Sequence, residues 1–214
     1  MKLSWIGHSC FRIESGGCSL ILDPYEAGAV PGYRPVEETA NMLLCSHEHR
    51  DHNARESVRL LPAEGANPFR IETLDSFHDD CQGAKRGRNR ITILSDGESR
   101  IAHLGDLGCL PEPEQLEKLR GLDVVLVPVG GCYTIDAAEA AILLEQIKPR
   151  LAVPMHFRDE TLHFGYAEIA VLSPFLALRK HWLYTGESSL ETTETYSADT
   201  IVLVPRNIEK GSAL

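Results

Sequence analysis

The segment Ser46-His47-Glu48-His49-Arg50-Asp51-His52 follows directly on the apolar run Met42-Leu43-Leu44-Cys45. Packing gives no reason to crowd three imidazoles and a carboxylate there. His47 and His49, two residues apart in an extended or tightly turned segment, project to one side and can address one ion. Asp51 and His52 follow where a helix would begin and can turn toward a second ion. The fold therefore has to deliver the end of a short strand to a place where other strands supply further ligands.

The chain has the elements for that. Lys2 to Ile6, Cys10 to Glu14 and Ser19 to Leu22 read as strands separated by Gly7-His8 and by Ser15-Gly16-Gly17. Residues 25–40, interrupted by Gly28, Pro31, Gly32 and Pro35, read as a surface loop whose Tyr25 and Tyr33 border a pocket. Met42 to Cys45 reads as a buried strand and Ala54 to Leu60 as one or two helical turns. Phe69 to Leu74 is a further strand, followed by Ser76-Phe77-His78-Asp79-Asp80. Ile91 to Ser95 and Arg100 to Leu104 form a hairpin about Asp96-Gly97.

In the second half the rhythm changes to strand and helix. Glu112 to Arg120 reads as a helix, Val124 to Val127 as a strand, and Asp136 as the cap of a helix that Pro149 stops. Leu151 to Val153 is a strand ending at Pro154-Met155-His156, and Ile201 to Val204 is the last strand. Tyr166 to Val171 fits helix and strand equally. Residues 205–214 read as a loose tail on a single domain spanning 1–214.

Bulk properties narrow the function classes. With 31 acidic against 21 basic residues the net charge is −10, which disfavours a nucleic-acid backbone as partner. No apolar run approaches the roughly 20 residues that cross a bilayer, and the N-terminus lacks the pattern of an export signal, so a cytoplasmic protein is expected. Six scattered cysteines without a Cys-x-x-Cys pair argue against a disulfide scaffold or a structural zinc knuckle.

Beyond the first cluster, ligand-type residues recur after strands at His78, at Asp106 within His103-Leu104-Gly105-Asp106-Leu107-Gly108, and at His156. Imidazoles plus a carboxylate able to lie between two ions are the complement a two-metal centre needs. With His-x-His-x-Asp-His at 47–52, His78, Gly105-Asp106 and His156 in this order, the chain resembles the metallo-beta-lactamase superfamily. Gly7-His8-Ser9-Cys10-Phe11, Leu22-Asp23-Pro24, Tyr133-Thr134-Ile135-Asp136-Ala137 and Pro154-Met155-His156-Phe157 are similar to segments of its small stand-alone hydrolases, a group related to the ascorbate-lactone hydrolase.

The resemblance implies an α/β, four-layer αββα sandwich of two mixed sheets flanked by helices, with the site at one edge. It implies one ion on His47, His49 and His78, a second on Asp51, His52 and His156, and Asp106 bridging. Zinc is the usual ion, with manganese, iron and nickel also suited to these ligands. Relatives that reduce oxygen or nitric oxide with two irons carry glutamate where this chain has His49, which favours hydrolysis. A water or hydroxide between the ions would attack an ester, lactone, amide or phosphoester of a small molecule, with Asp51 orienting it.

Other residues are assigned around this centre. His8 is read as a pocket wall, a hydrogen-bond partner of a ligand or a core histidine, and Asp79 as an acceptor for a ligating imidazole. His103 is read as structural, and Tyr133 and Thr134 as contacts to substrate oxygen. Lys85, Arg86, Arg88 and Arg90 are a solvated loop or an attractor for an anionic substrate. Residues 158–198 are expected to build a lid or a subunit contact, leaving room for a homo-oligomer. The alternatives are a phosphodiesterase or nuclease, for which the length leaves little room for an added arm, and a metal-binding scaffold with little turnover.

Overall fold

The computed structural model describes residues 1–209. Its N-terminal half is a five-stranded sheet built from β1 (Lys2–Gly7), β2 (Cys10–Ser15), β3 (Cys18–Leu22), β5 (Met42–Leu44) and the late strand β13 (Ser189–Glu191), in the order β13-β1-β2-β3-β5. The second sheet has seven strands in the order β12-β14-β11-β10-β9-β8-β7. They are β7 (Arg70–Phe77), β8 (Arg88–Ser95), β9 (Arg100–His103), β10 (Val124–Pro128), β11 (Leu151–Met155), β12 (Trp182–Tyr184) and β14 (Thr200–Val202). A small parallel ribbon pairs β4 (Glu38–Ala40) with β6 (Val58–Leu60).

Apolar side chains of both large sheets join one buried cluster, with Leu3, Ile13 and Leu20 from one and Ile93, Leu126 and Val153 from the other. This is the centre of an αββα sandwich. Its helices are short: α1 (Pro113–Lys118), α2 (Ala137–Ile147) and α3 (Ser173–Ala177). Asp136 caps α2 through Oδ1, which accepts the N–H groups of Ala138 and Glu139, as the residue pattern predicts. Among the described residues no helix is long and apolar enough to cross a membrane.

Strand direction gathers the chemistry at one edge. In the first sheet β2 is antiparallel to β1 and β3, and β5 is parallel to β3, so β1, β3 and β5 run one way. Their C-terminal ends lead to His8, Asp23 and residues 46–52. In the second sheet β8 is antiparallel to β7 and β9, while β10 and β11 run parallel to β9. The C-terminal ends of β7, β9 and β11 lead to His78, Asp106 and His156. Six strand ends thus feed one site, as ligand sites favour the carboxyl ends of co-directional strands.

Several expectations are corrected. Residues 25–40 run along the surface, with Ala27, Gly28, Pro31, Arg34 and Glu37 exposed, but Tyr25 and Tyr33 turn inward instead of bordering a pocket: both are buried, their rings 5.5 Å apart, and Tyr33 stacks on Phe164 at 5.0 Å. β5 is half-buried because it is a sheet edge. After a single 3-10 turn at Arg55–Ser57, the expected helix at 54–60 becomes β6. The segment 166–171 is neither helix nor strand, and β12 and β13 lie beyond it. The loose tail is tied down through 205–209 by Arg206 N–H to Trp5 carbonyl (3.1 Å), Asn207 N–H to Ile6 carbonyl (3.0 Å) and Glu209 N–H to Gly32 carbonyl (2.8 Å). Its remainder, 210–214, lies outside the described residues.

Candidate metal centre

Asp106 occupies the middle of the site. It is 1% exposed and follows Gly105, whose φ of +56° turns the chain inward at the end of β9. A side chain at 105 would place Cβ 2.3 Å from Asn89 Oδ1 and 2.5 Å from Ser46 Cβ, so glycine is required for both conformation and space. Asn89 then fixes the turn: its Oδ1 accepts Asp106 N–H at 3.0 Å, and its Nδ2 donates to Leu104 carbonyl and to Ser76. His103 spends both ring nitrogens on the same support. Nε2 donates to Ser9 carbonyl (2.8 Å) and Nδ1 accepts Gly105 N–H (3.1 Å), the structural role expected of it.

Imidazoles surround the Asp106 carboxylate. Oδ1 lies 3.2 Å from His52 Nε2, and Oδ2 lies 3.3 Å from the Nε2 atoms of both His78 and His156 and 3.9 Å from that of His47. Donor atoms on a tetrahedral ion with bonds near 2.0–2.1 Å stand about 3.3 Å apart, so these are the separations of atoms sharing an ion. Among the groups able to hold one, two flank Asp106: His47, His49 and His78, and His8, Asp51, His52 and His156.

The donor set fits metal ions on two counts. Buried nitrogens His47 Nε2, His52 Nε2 and His156 Nε2, and the oxygen Asp106 Oδ1, have no hydrogen-bond partner among the described residues. Asp23, Asp51 and Asp106 bring three carboxylates together, and among the described residues their charged-group contacts are all to histidines, with no lysine or arginine. Buried anions without a cation cost several kcal/mol each, on the order of the effective desolvation penalty.

Protonation follows the same logic. Burial, then the proximity of His52, pushes His47 down to about 3, which keeps its lone pair free. His78 is lowered, chiefly by burial. Burial opposes the charge on Asp106, but His156 and His52 outweigh it and hold the carboxyl well below its usual range. Asp51 is likewise held low by His52 and His8 against burial. His52 alone moves up: burial resists a charge there, but Asp106 and Asp23 flank the ring and favour one.

Asp23 was not among the expected site residues. Its Oδ2 lies 2.8 Å from His52 Nδ1 and 2.5 Å from Ser46 Oγ, and its Oδ1 accepts Ser46 N–H at 2.7 Å. Ser46 Oγ in turn lies 2.9 Å from His47 Nδ1. One carboxylate therefore orients a ring from each group with Nε2 facing Asp106. The signal was its place after β3, at the same edge as the histidines.

Asp79 does not take the role expected of it. Its two oxygens accept the N–H groups of Cys81, Gly83, Lys85 and Arg86. Burial works against the charge, but these four donors hold the carboxyl at about 2. His78 Nδ1 is left without a hydrogen-bond partner among the described residues. Asp79 instead shapes the 80–87 loop, while the His78-Asp79 backbone passes so near Gly108 that a side chain there would lie 2.3 Å from Asp79 N.

That loop brings Arg86 to the site. A cavity of about 340 Å³ opens over the centre, lined by His49, Asp51, His78, Arg86, Asp106, Tyr133 and Tyr166. The Arg86 guanidinium lies 5.4 Å from the Tyr133 ring centroid. Tyr166 Oη sits 3.1 Å from Asp51 Oδ2 and 2.9 Å from Ala29 carbonyl. Arg88 and Arg90 line an adjoining groove with His47 and His49. Lys85 turns away to Asp80 (3.0 Å), and Thr134 spends its hydroxyl on Ile135 carbonyl, so neither lines the cavity over the centre. Residues 158–198 contribute Tyr166 as a wall. A larger open groove of about 570 Å³ lies beside Met1, Glu14 and Asp96 and carries no imidazole.

A two-sheet sandwich with histidines and a central carboxylate at one edge defines a class of metal-binding domain. The chain belongs to the beta-lactamase superfamily domain family, whose model matches residues 2–156. It is similar to a UPF0173 protein of Pyrococcus furiosus, 32% identical, covering 73% of this chain and 83% of that one. A UPF0173 metal-dependent hydrolase of Carboxydothermus hydrogenoformans is 28% identical over 73% of this chain and 84% of its own. A Thermotoga maritima crystal structure, assigned as a Zn-dependent hydrolase of the metallo-beta-lactamase superfamily, matches with a TM-score of 0.72 and 28% identity, covering 94% of this chain and 97% of that one.

Proposed function

We propose that this protein is a dinuclear metal-dependent hydrolase of small molecules, cleaving an ester, lactone, amide or phosphoester bond. The observation that carries the reading is the Asp106 carboxylate, whose two oxygens face imidazoles of both groups while no lysine or arginine among the described residues pairs with it. His47, His49 and His78 would hold one ion, Asp51, His52 and His156 the other, and Asp106 both. Zinc is the first expectation, with manganese, iron and nickel as alternatives. Bound there, the ions would lower the pKa of a water toward neutrality and polarise the scissile bond.

The chain's own residues do the rest. Asp51 lines the cavity with a free charge on one side and accepts from Tyr166 on the other, so it can orient the proton of an attacking water. Tyr133 and Tyr166 wall off solvent and give an apolar contact to the substrate body. Arg86 reaches into the same space and favours an anionic group. A volume of about 340 Å³ suits a small ligand.

A phosphodiesterase acting on nucleotides is the second reading. It draws support from Arg86, Arg88 and Arg90, which run along the cavity and its adjoining groove without an acidic ion-pair partner among the described residues. A panel of lactones, carboxylic esters, amides and phosphodiesters, assayed with metal-reconstituted protein and with a chelator, separates the readings. Chelator-sensitive turnover confined to one bond class assigns the reaction. Two bound metals with no turnover of any class would favour a metal-binding scaffold.

A further inference from the structure

His8 stands outside the motif run, at the turn between β1 and β2, yet it faces the second ligand group. Its side chain is buried, at 1% exposure, and neither ring nitrogen has a hydrogen-bond partner among the described residues. A histidine buried for packing does not look like this. His103, buried equally on the far side of Ser9, satisfies both of its nitrogens.

The vacant nitrogens point among ligands. Nε2 of His8 lies 3.6 Å from Asp51 Oδ2, and its ring centroid is 4.2 Å from that of His156 and 5.4 Å from that of His52. One donor atom from each of His8, Asp51, His52 and His156 lies within 4.8 Å of all the others. Ligands opposite one another on an ion stand about 4.2 Å apart at bonds near 2.1 Å, so small shifts close the set. A hydrogen bond to Asp51 does not account for the arrangement, since 3.6 Å is beyond bonding range and Asp51 Oδ2 already receives Tyr166 Oη at 3.1 Å.

The backbone is committed to this placement. His8 has φ +52°, a conformation that side chains other than glycine rarely hold. The turn is clamped on both sides: Trp5 Nε1 donates to His8 carbonyl at 2.9 Å, and His103 Nε2 donates to Ser9 carbonyl at 2.8 Å.

We propose that His8 is a further ligand of the ion held by Asp51, His52 and His156, an inference that rests on the two-ion reading above. The two positions are then unequal. The first has His47, His49, His78 and Asp106, a four-donor set suited to tetrahedral zinc. The second has three imidazoles with Asp51 and Asp106, a five-donor set that suits a five- or six-coordinate ion such as manganese, iron or nickel.

The test is a crystal structure of the wild-type protein loaded with Mn2+, with anomalous scattering to place the ions, alongside chelator-competition titrations of wild type, His8→Ala and His8→Gln. The expected result is a His8 nitrogen about 2.0–2.3 Å from the second ion, and at least about a tenfold weakening of the second equivalent in both variants with the first unchanged. A His8 ring more than 3 Å from either ion overturns the assignment, and so do variants that bind both equivalents with wild-type affinity. The crystal structure decides even where a variant fails to fold. Wild-type protein that takes up a single ion overturns the two-ion reading itself, an outcome distinct from two ions without His8.

Discussion

The Asp23 carboxylate lies 2.8 Å from Nδ1 of His52, and the opposite nitrogen of that ring lies 3.2 Å from Asp106. Asp23 thereby fixes which nitrogen His52 presents to the centre, while its other contacts hold Ser46 and, through it, His47. Replacing Asp23 with alanine leaves His52 Nδ1, Ser46 N–H and Ser46 Oγ without their acceptor. Metal affinity should fall about 10- to 100-fold, and the metal-free protein should lose roughly 2–4 kcal/mol. Chelator competition and urea unfolding measure the two effects, and an unchanged affinity would remove Asp23 from the site.

Gly105→Ala tests how Asp106 is delivered. The added Cβ would overlap Asn89 Oδ1 and Ser46 Cβ in a left-handed conformation. The turn has to shift, breaking the Asn89 bond to Asp106 N–H. A loss of about 2–4 kcal/mol in stability is expected together with weakened binding of both metals. Wild-type stability in denaturant titration would show that the turn is not tightly packed.

His103 gives a pH signature separate from the metal ligands. Burial lowers its pKa below the ordinary 6.5, and its Nδ1 accepts Gly105 N–H only while unprotonated. The unfolded chain protonates this residue below about pH 6.5 and the folded chain does not. Its contribution is therefore complete above pH 6.5 and is lost as the pH falls below it, with a slope approaching 1.4 kcal/mol per pH unit at most. Urea midpoints of metal-free protein between pH 7.5 and 5 should fall for wild type and fall less steeply for His103→Gln. Parallel curves would contradict the assignment.

The basic loop divides into unequal parts. Arg86 enters the cavity, whereas Lys85 is paired with Asp80 at the surface. For an anionic substrate, Arg86→Gln should raise KM about tenfold and flatten its dependence on salt, while Lys85→Gln should leave both within about twofold. Steady-state kinetics at two ionic strengths would show this, and equal effects of the two substitutions would point to a diffuse field instead of a contact.

Much of the candidate centre was legible because its ligand-type residues follow short apolar strands, and co-directional strands end at one edge. The side chains of His47, His49, Asp51, His52, His78, Asp106 and His156 lie together at that edge, the arrangement the proposed ligand set needs. What was not legible depends on contacts distant in sequence. Asp23 is a plain strand-end acid until β3 and β5 are paired, and Asn89 shows its role only when β8 places it under the Gly105 turn. Asp79 adjoins a ligand but is consumed by backbone donors of its own loop, which local sequence cannot distinguish from a bond to His78. The short strands β12 and β13 have no periodicity of their own and exist through pairing with β14 and β1.

The central claim, that this edge is a two-metal hydrolytic centre, is tested most directly by titrating metal into metal-free protein while following turnover of the substrate class found by screening. Turnover should be absent without metal and should rise until two equivalents per chain are bound. His49→Ala, at an exposed side chain that lines the cavity and makes no hydrogen bond among the described residues, should remain folded and inactive. Full turnover in the presence of a chelator, or a plateau at one equivalent, would contradict the account.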